Sequence, residues 1–416
     1  MKEKLEYFLH MLSPRNFWEE DEDEWEEYDL RENYISGAED EEEPKQFWSA
    51  AKVYLMLVIL AAAAVVGYHV FSRMHTFTSY SVTSSYASED IAGTMYEKLG
   101  NDFVKYGSDG VTLVDSRNQT LWSSAYTIET PMTASCENTM LIYEQQGYQA
   151  VVFDSDGVLG SFQTDLPILR GDVARNGVSA LLLKDDEDTR IRLCSTDGTT
   201  LAEIKATLED QGSPVAMALS EDGQDVLVSL AKVGSGTIDT TIALYSFTSS
   251  IEAEENHLAG SVKYIDQIFP SVYFAEGTKP VAVGDSCFVT FTASGGLKEK
   301  KKISLSSEIV SCFHDDDVIG FVFASDAADE RYRMEVYTYS GKLTGEVSFN
   351  SGYSVAKMDD GEILLNDTGH IMAFTTGGTL RLDSDTDDLV GAFVKIPGFR
   401  RYVILTNNGI ERIKAQ

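Results

Sequence analysis

Gly284-Asp285-Ser286 has the residue order of the turn that presents a serine nucleophile in serine proteases. The next residue is Cys287 where that turn needs Gly, and no histidine motif accompanies it, so it reads as a turn at a strand edge. Gly234-Ser235-Gly236 lacks the strand–turn–helix context of a hydrolase elbow. Asp383-Ser384-Asp385-Thr386-Asp387-Asp388 begins like a calcium loop. That loop needs Gly at its sixth position and Glu at its twelfth, and here Asp388 and Val394 stand there. The run reads instead as a solvated acidic turn, as do Asp154-Ser155-Asp156-Gly157 and residues 185–188. His257, His314 and His370 are far apart with no HExxH, so none is taken as a metal ligand. Cys136, Cys194, Cys287 and Cys312 form no CxxC and no zinc spacing. All four lie in apolar runs, and buried free thiols are expected over disulfides. Paired catalytic carboxylates cannot be located by sequence among 67 acidic residues. The sequence therefore singles out no catalytic, cofactor-binding or metal-ligating residue.

The elements around these residues are more legible. From Tyr80 onward, short β-branched and aromatic runs alternate with Gly, Asp and Asn turns, the pattern of an all-β protein. Pro131, Pro167, Pro214 and Pro270 each precede an apolar run. Proline is tolerated at the first residue of a strand, where no ladder donor is needed. Their spacings are 36, 47 and 56 residues, and a variable period of about 35 to 55 residues with four strands per unit predicts a β-propeller. The units fall at 95–127, 132–165, 168–208, 214–264, 268–307, 309–350, 354–383 and 388–416. The last has three clear strands, and Tyr80 to Ser85 is expected to complete it around Gly409 to Lys414. Eight blades are expected. Seven is the alternative, because the 214–264 unit is long, and a tandem β-sandwich is the other competing fold. Lys298-Glu-Lys-Lys-Lys302 reads as a solvated hairpin edge that discourages edge pairing.

Val53 to Phe71 contains no Asp, Glu, Lys or Arg. As a helix it would be about 28 Å long, close to the hydrocarbon core of a bilayer. It predicts a transmembrane helix within 47–73, with Trp48 and Tyr68 at the two interfaces. It separates an acidic cytoplasmic head, 1–46, from an extracytoplasmic domain, 77–416. Arg31, Lys45 and Lys52 precede the span and Arg73 follows it, which places the N-terminus inside. In the head, Leu5, Phe8, Leu9 and Leu12 share one face of a short helix near 3–12 that Pro14 ends. Acidic runs follow, with the composition of disorder. This helix is a candidate docking motif for a cytosolic or membrane partner. Of the formal charge of −34, the head carries −12 and the rest −22. An acidic body argues against nucleic acid and anionic lipid as partners.

The segment Leu113-Val-Asp115-Ser-Arg-Asn-Gln-Thr-Leu-Trp122 resembles the repeat of quinoprotein-type propellers, in which an Asp turn leads to a strand ending in Leu-Trp. That family includes quinone-dependent dehydrogenases and a non-enzymatic outer-membrane assembly scaffold. The dehydrogenases use a docking tryptophan in most blades, whereas Trp122 is alone in this body; the resemblance thus implies the fold without the cofactor. The layout, with Asp109-Gly-Val-Thr-Leu-Val-Asp115, Ala218-Leu-Ser-Glu-Asp-Gly223 and Tyr332 to Lys342, also resembles an uncharacterised family of Gram-positive single-pass membrane proteins with a propeller-like extracytoplasmic domain. These readings give an expected function: a membrane-anchored, non-catalytic binding or scaffold module for an unknown protein or cell-wall ligand. The competing expectation is an extracytoplasmic enzyme of hydrolase, lyase or quinone-dependent type using carboxylates at the channel mouth.

Overall fold

The computed structural model describes residues 45–416 apart from 89, 91–92, 187, 207–211, 235, 249–256, 326 and 328. Leu5, Phe8, Leu9 and Leu12 lie outside the described residues. Helix α1 runs from Lys45 to Met74, and its side chains are described only from Lys52 to Gly67. Its large apolar side chains from Val53 to Val66 are all exposed. Among the described residues, no helix is long and apolar enough to cross a membrane. The described side chains cover only part of the apolar run, and Trp48 and Tyr68 lie outside them.

The body is an eight-bladed propeller of four-stranded antiparallel sheets. Seven blades are sequential: 95–125, 131–163, 168–206, 213–264, 271–304, 309–349 and 355–385. The eighth is built from Val390–Lys395, Arg401–Thr406 and Gly409–Ala415, and its outermost strand is Tyr80–Ala87. In each blade the first strand, or the one at Val390 in the eighth, is innermost: these strands contact one another between blades 2 and 3, 3 and 4, 4 and 5, 6 and 7, and 8 and 1. The four prolines stand at or beside the starts of inner strands. The long 213–264 unit is one blade because its two middle strands, Asp225–Val233 and Ile238–Ser246, have nine residues each.

Ring closure follows the expected pairing. Tyr80 lies opposite Ala415 and Ala87 opposite Gly409, with one bulge between Val82 and Ser84. Just before this strand, Phe77 bridges to Leu382 on the outer strand of blade 7. The core consists of wedges between blades. Alternating apolar residues on each sheet face must be covered, and each sheet uses the next one to cover them. The 8–1 wedge packs Tyr96, Phe103 and Val114 against Val394, Val403 and Leu405, so the seam is filled like the other junctions. Asp and Gly shape the hairpins: Asp154 Oδ1 accepts the N–H groups of Asp156 at 2.8 Å and Gly157 at 3.1 Å.

Candidate functional site: the two mouths of the propeller channel

Every inner strand runs the same way along the propeller axis, so one mouth gathers their beginnings and the other their ends. Contacts between neighbouring blades at the ends show this. Asp172 accepts the N–H of Leu219 at 2.7 Å, Glu221 N–H donates to Gly277 O at 3.0 Å, and Glu276 N–H donates to Asp316 at 3.1 Å.

The exit mouth is polar and clamped. Lys98 of blade 1 reaches Asp359 of blade 7 at 2.6 Å and donates to the carbonyl of Lys395 in blade 8 at 3.3 Å. The N–H of Lys395 donates to the other oxygen of Asp359 at 2.8 Å. One lysine thus joins three blades across the seam. Beside this clamp, Thr133 donates to Glu97 at 2.5 Å. Lys357 shares this environment: burial lowers its ammonium pKa against the opposing pull of Asp359 and Glu97. At the ends of blades 2 to 4, burial pushes the Asp172 carboxyl up to about 6. The Cys136 thiol is pushed up to about 11 by burial, reinforced by Glu221, Asp172 and Glu137. A thiol in this setting is protonated at neutral pH and is a poor nucleophile. All four cysteines are free, as expected, but only Cys194 and Cys287 are fully buried; Cys136 and Cys312 are half-buried.

The entry mouth is apolar. Met95, Met132, Val310 and Val355 sit at or next to the starts of inner strands and are 36–53% exposed. Leu169 and Val215 are partly exposed. Register shifts fall between Ile168 and Arg170, Pro214 and Ala216, Ile309 and Ser311, and Val390 and Ala392. The extra residue in each case is Leu169, Val215, Val310 or Gly391. A bulge takes one residue out of the ladder and re-aims its side chain. Exposed or partly exposed aliphatic and thioether groups thus stand near the starts of the inner strands of blades 1 to 4, 6 and 7, interspersed with exposed Arg170 and Ser213.

The motifs of the sequence lie elsewhere. Gly284–Ser286 is the hairpin between Lys279–Val283 and Cys287–Thr292, closed by Gly284 N–H to Cys287 O at 2.8 Å. Asp383 and Asp385 are not in a turn but end the outer strand of blade 7, Leu380–Asp385. They flank His370, whose Nε2 is 2.8 Å from Asp383 and whose Nδ1 is 2.8 Å from Asp385. Among the described residues, no group of three or more His, Cys, Asp and Glu is placed to hold a metal ion. Lys298–Ser304 is the outer strand of blade 5, an edge carrying charge as expected. Trp122 donates to Ser155 O in the next blade at 3.2 Å and packs edge-on against Phe153. Sequence reasoning missed both mouths. A bulge leaves apolar residues in place and changes only their register, while Lys98 and Asp359 are 261 residues apart.

Residues 73–415 match the family of unknown function DUF5711. The chain belongs to that family. None of the curated proteins matches it. Among solved structures, the chain is similar to BamB from Moraxella catarrhalis, with 11% identity over 81% of this chain and all of that one, at a TM-score of 0.47. It is similar to Sqt1 from Saccharomyces cerevisiae, with 10% identity over 82% of this chain and all of that one, at 0.49. It is also similar to AztD from Citrobacter koseri, with 10% identity over 71% of this chain and 87% of that one, at 0.48. The eight-bladed assignment for this DUF5711 member rests on its own sheet order and ring closure.

Proposed function

We propose that this DUF5711 member is a membrane-anchored extracytoplasmic propeller of a Gram-positive cell envelope that binds a protein or cell-wall ligand without catalysis. The apolar entry mouth carries this reading. Exposed Met, Val and Leu side chains gathered around one end of a rigid ring favour a binding surface. Polar groups at the other end are taken up by contacts that hold blades together: Asp359 uses both oxygens on Lys98 and Lys395. Anchoring is supported by the uncharged run Val53–Phe71 and by the exposed apolar side chains of α1, which need an apolar surrounding. Trp48 and Tyr68 would stand at the interfaces. The Lys/Arg asymmetry supports an inward N-terminus. In this reading, Leu5, Phe8, Leu9 and Leu12 dock to a cytosolic or membrane partner.

The test uses intact cells carrying the full chain with a photo-crosslinking residue at Met132 or Val355, and at Leu201 on an outer strand as control. A partner of defined mass captured at the two mouth positions and not at Leu201 is expected. Equal capture at all three positions would sink the binding reading. External protease added to the same cells should remove the body and leave roughly the first 70 residues, the length up to the end of the span. A body protected until lysis would overturn the orientation. Capture at the mouth should be unaffected by Leu9→Asp, while any inner partner should be lost; an inner partner retained in that variant would rule out docking through this helix face.

A further inference from the structure

Helix α1 ends at Met74, and the chain is fastened to the propeller almost at once. Thr76 Oγ1 donates to Leu380 O at 3.0 Å, and Phe77 N–H donates to Arg381 O at 2.8 Å. Two residues, His75 and Thr76, separate Met74 from Phe77, so the end of the helix is within three chain steps, roughly 11 Å, of Phe77. That rim is unusual for this body. Phe399, in the loop between the first two strands of blade 8, is 43% exposed. Arg400 stacks on its ring at 4.8 Å and on Phe77 at 4.5 Å, and Arg381 lies over Phe399 at 5.6 Å. Arg401 and Lys414 are directly opposite in the ladder and both exposed. Like charges in that position weaken a strand pair. Among the described residues, neither Arg400 nor Arg401 has an ion pair, a state shared by Arg117, Arg170, Arg331 and Arg412, but only at this rim do two such arginines adjoin an exposed aromatic ring and a third arginine, Arg381. The rest of the molecule thus bears the cost of an exposed aromatic ringed by cations, at the point where the chain turns toward the apolar helix.

We propose that this rim, made by Phe399, Arg400 and Arg401 with Arg381 and Lys414, rests on the membrane surface and contacts anionic lipid headgroups. The inference rests on the anchored reading of α1. Phe399 supplies an apolar tip for the headgroup boundary and the arginines supply attraction to it. The overall charge of the body argues against anionic lipid, and this rim is the local exception. Two neighbouring attachments, one covalent through α1 and one electrostatic, would fix the tilt of the ring above the bilayer. The entry mouth would then be held at a set angle to the surface.

The experiment reconstitutes the full chain into vesicles of zwitterionic lipid alone or with about one-third anionic lipid, and follows hydrogen exchange of the 396–401 backbone. The chain is expected to stay with both kinds of vesicle through α1. Exchange in 396–401 should be slower by about tenfold in the anionic vesicles, given two arginines close to the surface. The double variant Arg400→Gln, Arg401→Gln should lose that difference and still be retained. A retained chain with equal exchange in both vesicles overturns the rim contact and leaves the anchor standing. A chain released from zwitterionic vesicles but held by anionic ones through Arg400 and Arg401 overturns the anchor and supports the rim. A chain held by neither overturns both. Slowing by inorganic phosphate in zwitterionic vesicles would point to a simple anion site and would also overturn the proposal.

Discussion

Asp172 shows how one side chain reports on a junction. It lies on the inner strand of blade 3 and accepts the N–H of Leu219 in blade 4 at 2.7 Å and that of Val173 at 2.9 Å. Both bonds favour the carboxylate, yet burial outweighs them and its pKa rises to about 6. The native state therefore holds this proton more tightly than the unfolded chain, where a carboxyl titrates near its ordinary value. The contribution of Asp172 to stability is fully present below about pH 4 and is lost as pH rises through 6. Asp172→Asn keeps an acceptor for Leu219 and removes the ionisation. At pH 8 the variant should be more stable than the parent, on the order of 1–3 kcal/mol. At pH 4 the two should be nearly equal. Denaturant unfolding at the two pH values decides this, and an unchanged difference between parent and variant across that range would refute it. The sequence reading assigned no role to this residue, because burial comes from blades that are distant in sequence.

The outer strands show how the blades keep their spacing. The C=O and N–H groups of a hairpin turn in one blade press against the outer strand of the blade before it. In blade 1 the receiving residue is Trp122, which meets the turn at Ser155. In blades 2 and 6 it is glycine. A Cβ on Gly160 would lie 1.9 Å from Thr196 O, and one on Gly345 would lie 2.5 Å from Thr376 O. These are backbone atoms and cannot step aside like a flexible side chain. Gly345→Ala should thus destabilise the body by roughly 1–3 kcal/mol. Gly369→Ala, where nothing lies within 4 Å and the backbone is not left-handed, should cost well under half of that. Thermal melting of both variants tests the contrast, and equal melting temperatures would remove the argument. The alternation of apolar runs and Asp–Gly turns was enough to read the strands, their grouping by four and the prolines at blade starts. The strand bulges at the entry mouth and the charge of the rim were not legible. A one-residue slip leaves no mark in composition, and Arg381, Arg401 and Lys414 come together only when blades 7 and 8 fold. Lone Trp122 signalled the fold correctly, while glycine took over its place elsewhere.

At the scale of the whole molecule, stability depends on the ring being shut. Each blade is covered on both faces only when it has two neighbours, and an open ring would expose one apolar face at each end. Here the closing blade takes its outermost strand, Tyr80–Ala87, from the beginning of the body and its other three from the end. The same segment is secured on either side. Before it, buried Phe77 joins the wedge between blades 7 and 8. After it, Asp90 pairs with Lys105 of blade 1 at 2.6 Å, with Lys105 only 7% exposed, and accepts the hydroxyl of Tyr96 at 3.1 Å. The strand therefore links blades 7, 8 and 1 in one short stretch of chain. Removing 77–87 from the full chain would leave Gly409–Ala415 as a bare edge, uncover Leu382 and Ile413, and loosen the hold of Asp90. A loss of roughly 3 kcal/mol or more is expected, which for a body of this size lowers the melting temperature by about 4 °C or more. The exposed edge should also make the truncated protein associate through strand pairing. Scanning calorimetry together with sedimentation reads both effects. A truncated protein that melts at the parent temperature and stays monodisperse would show that this strand decorates the ring without closing it.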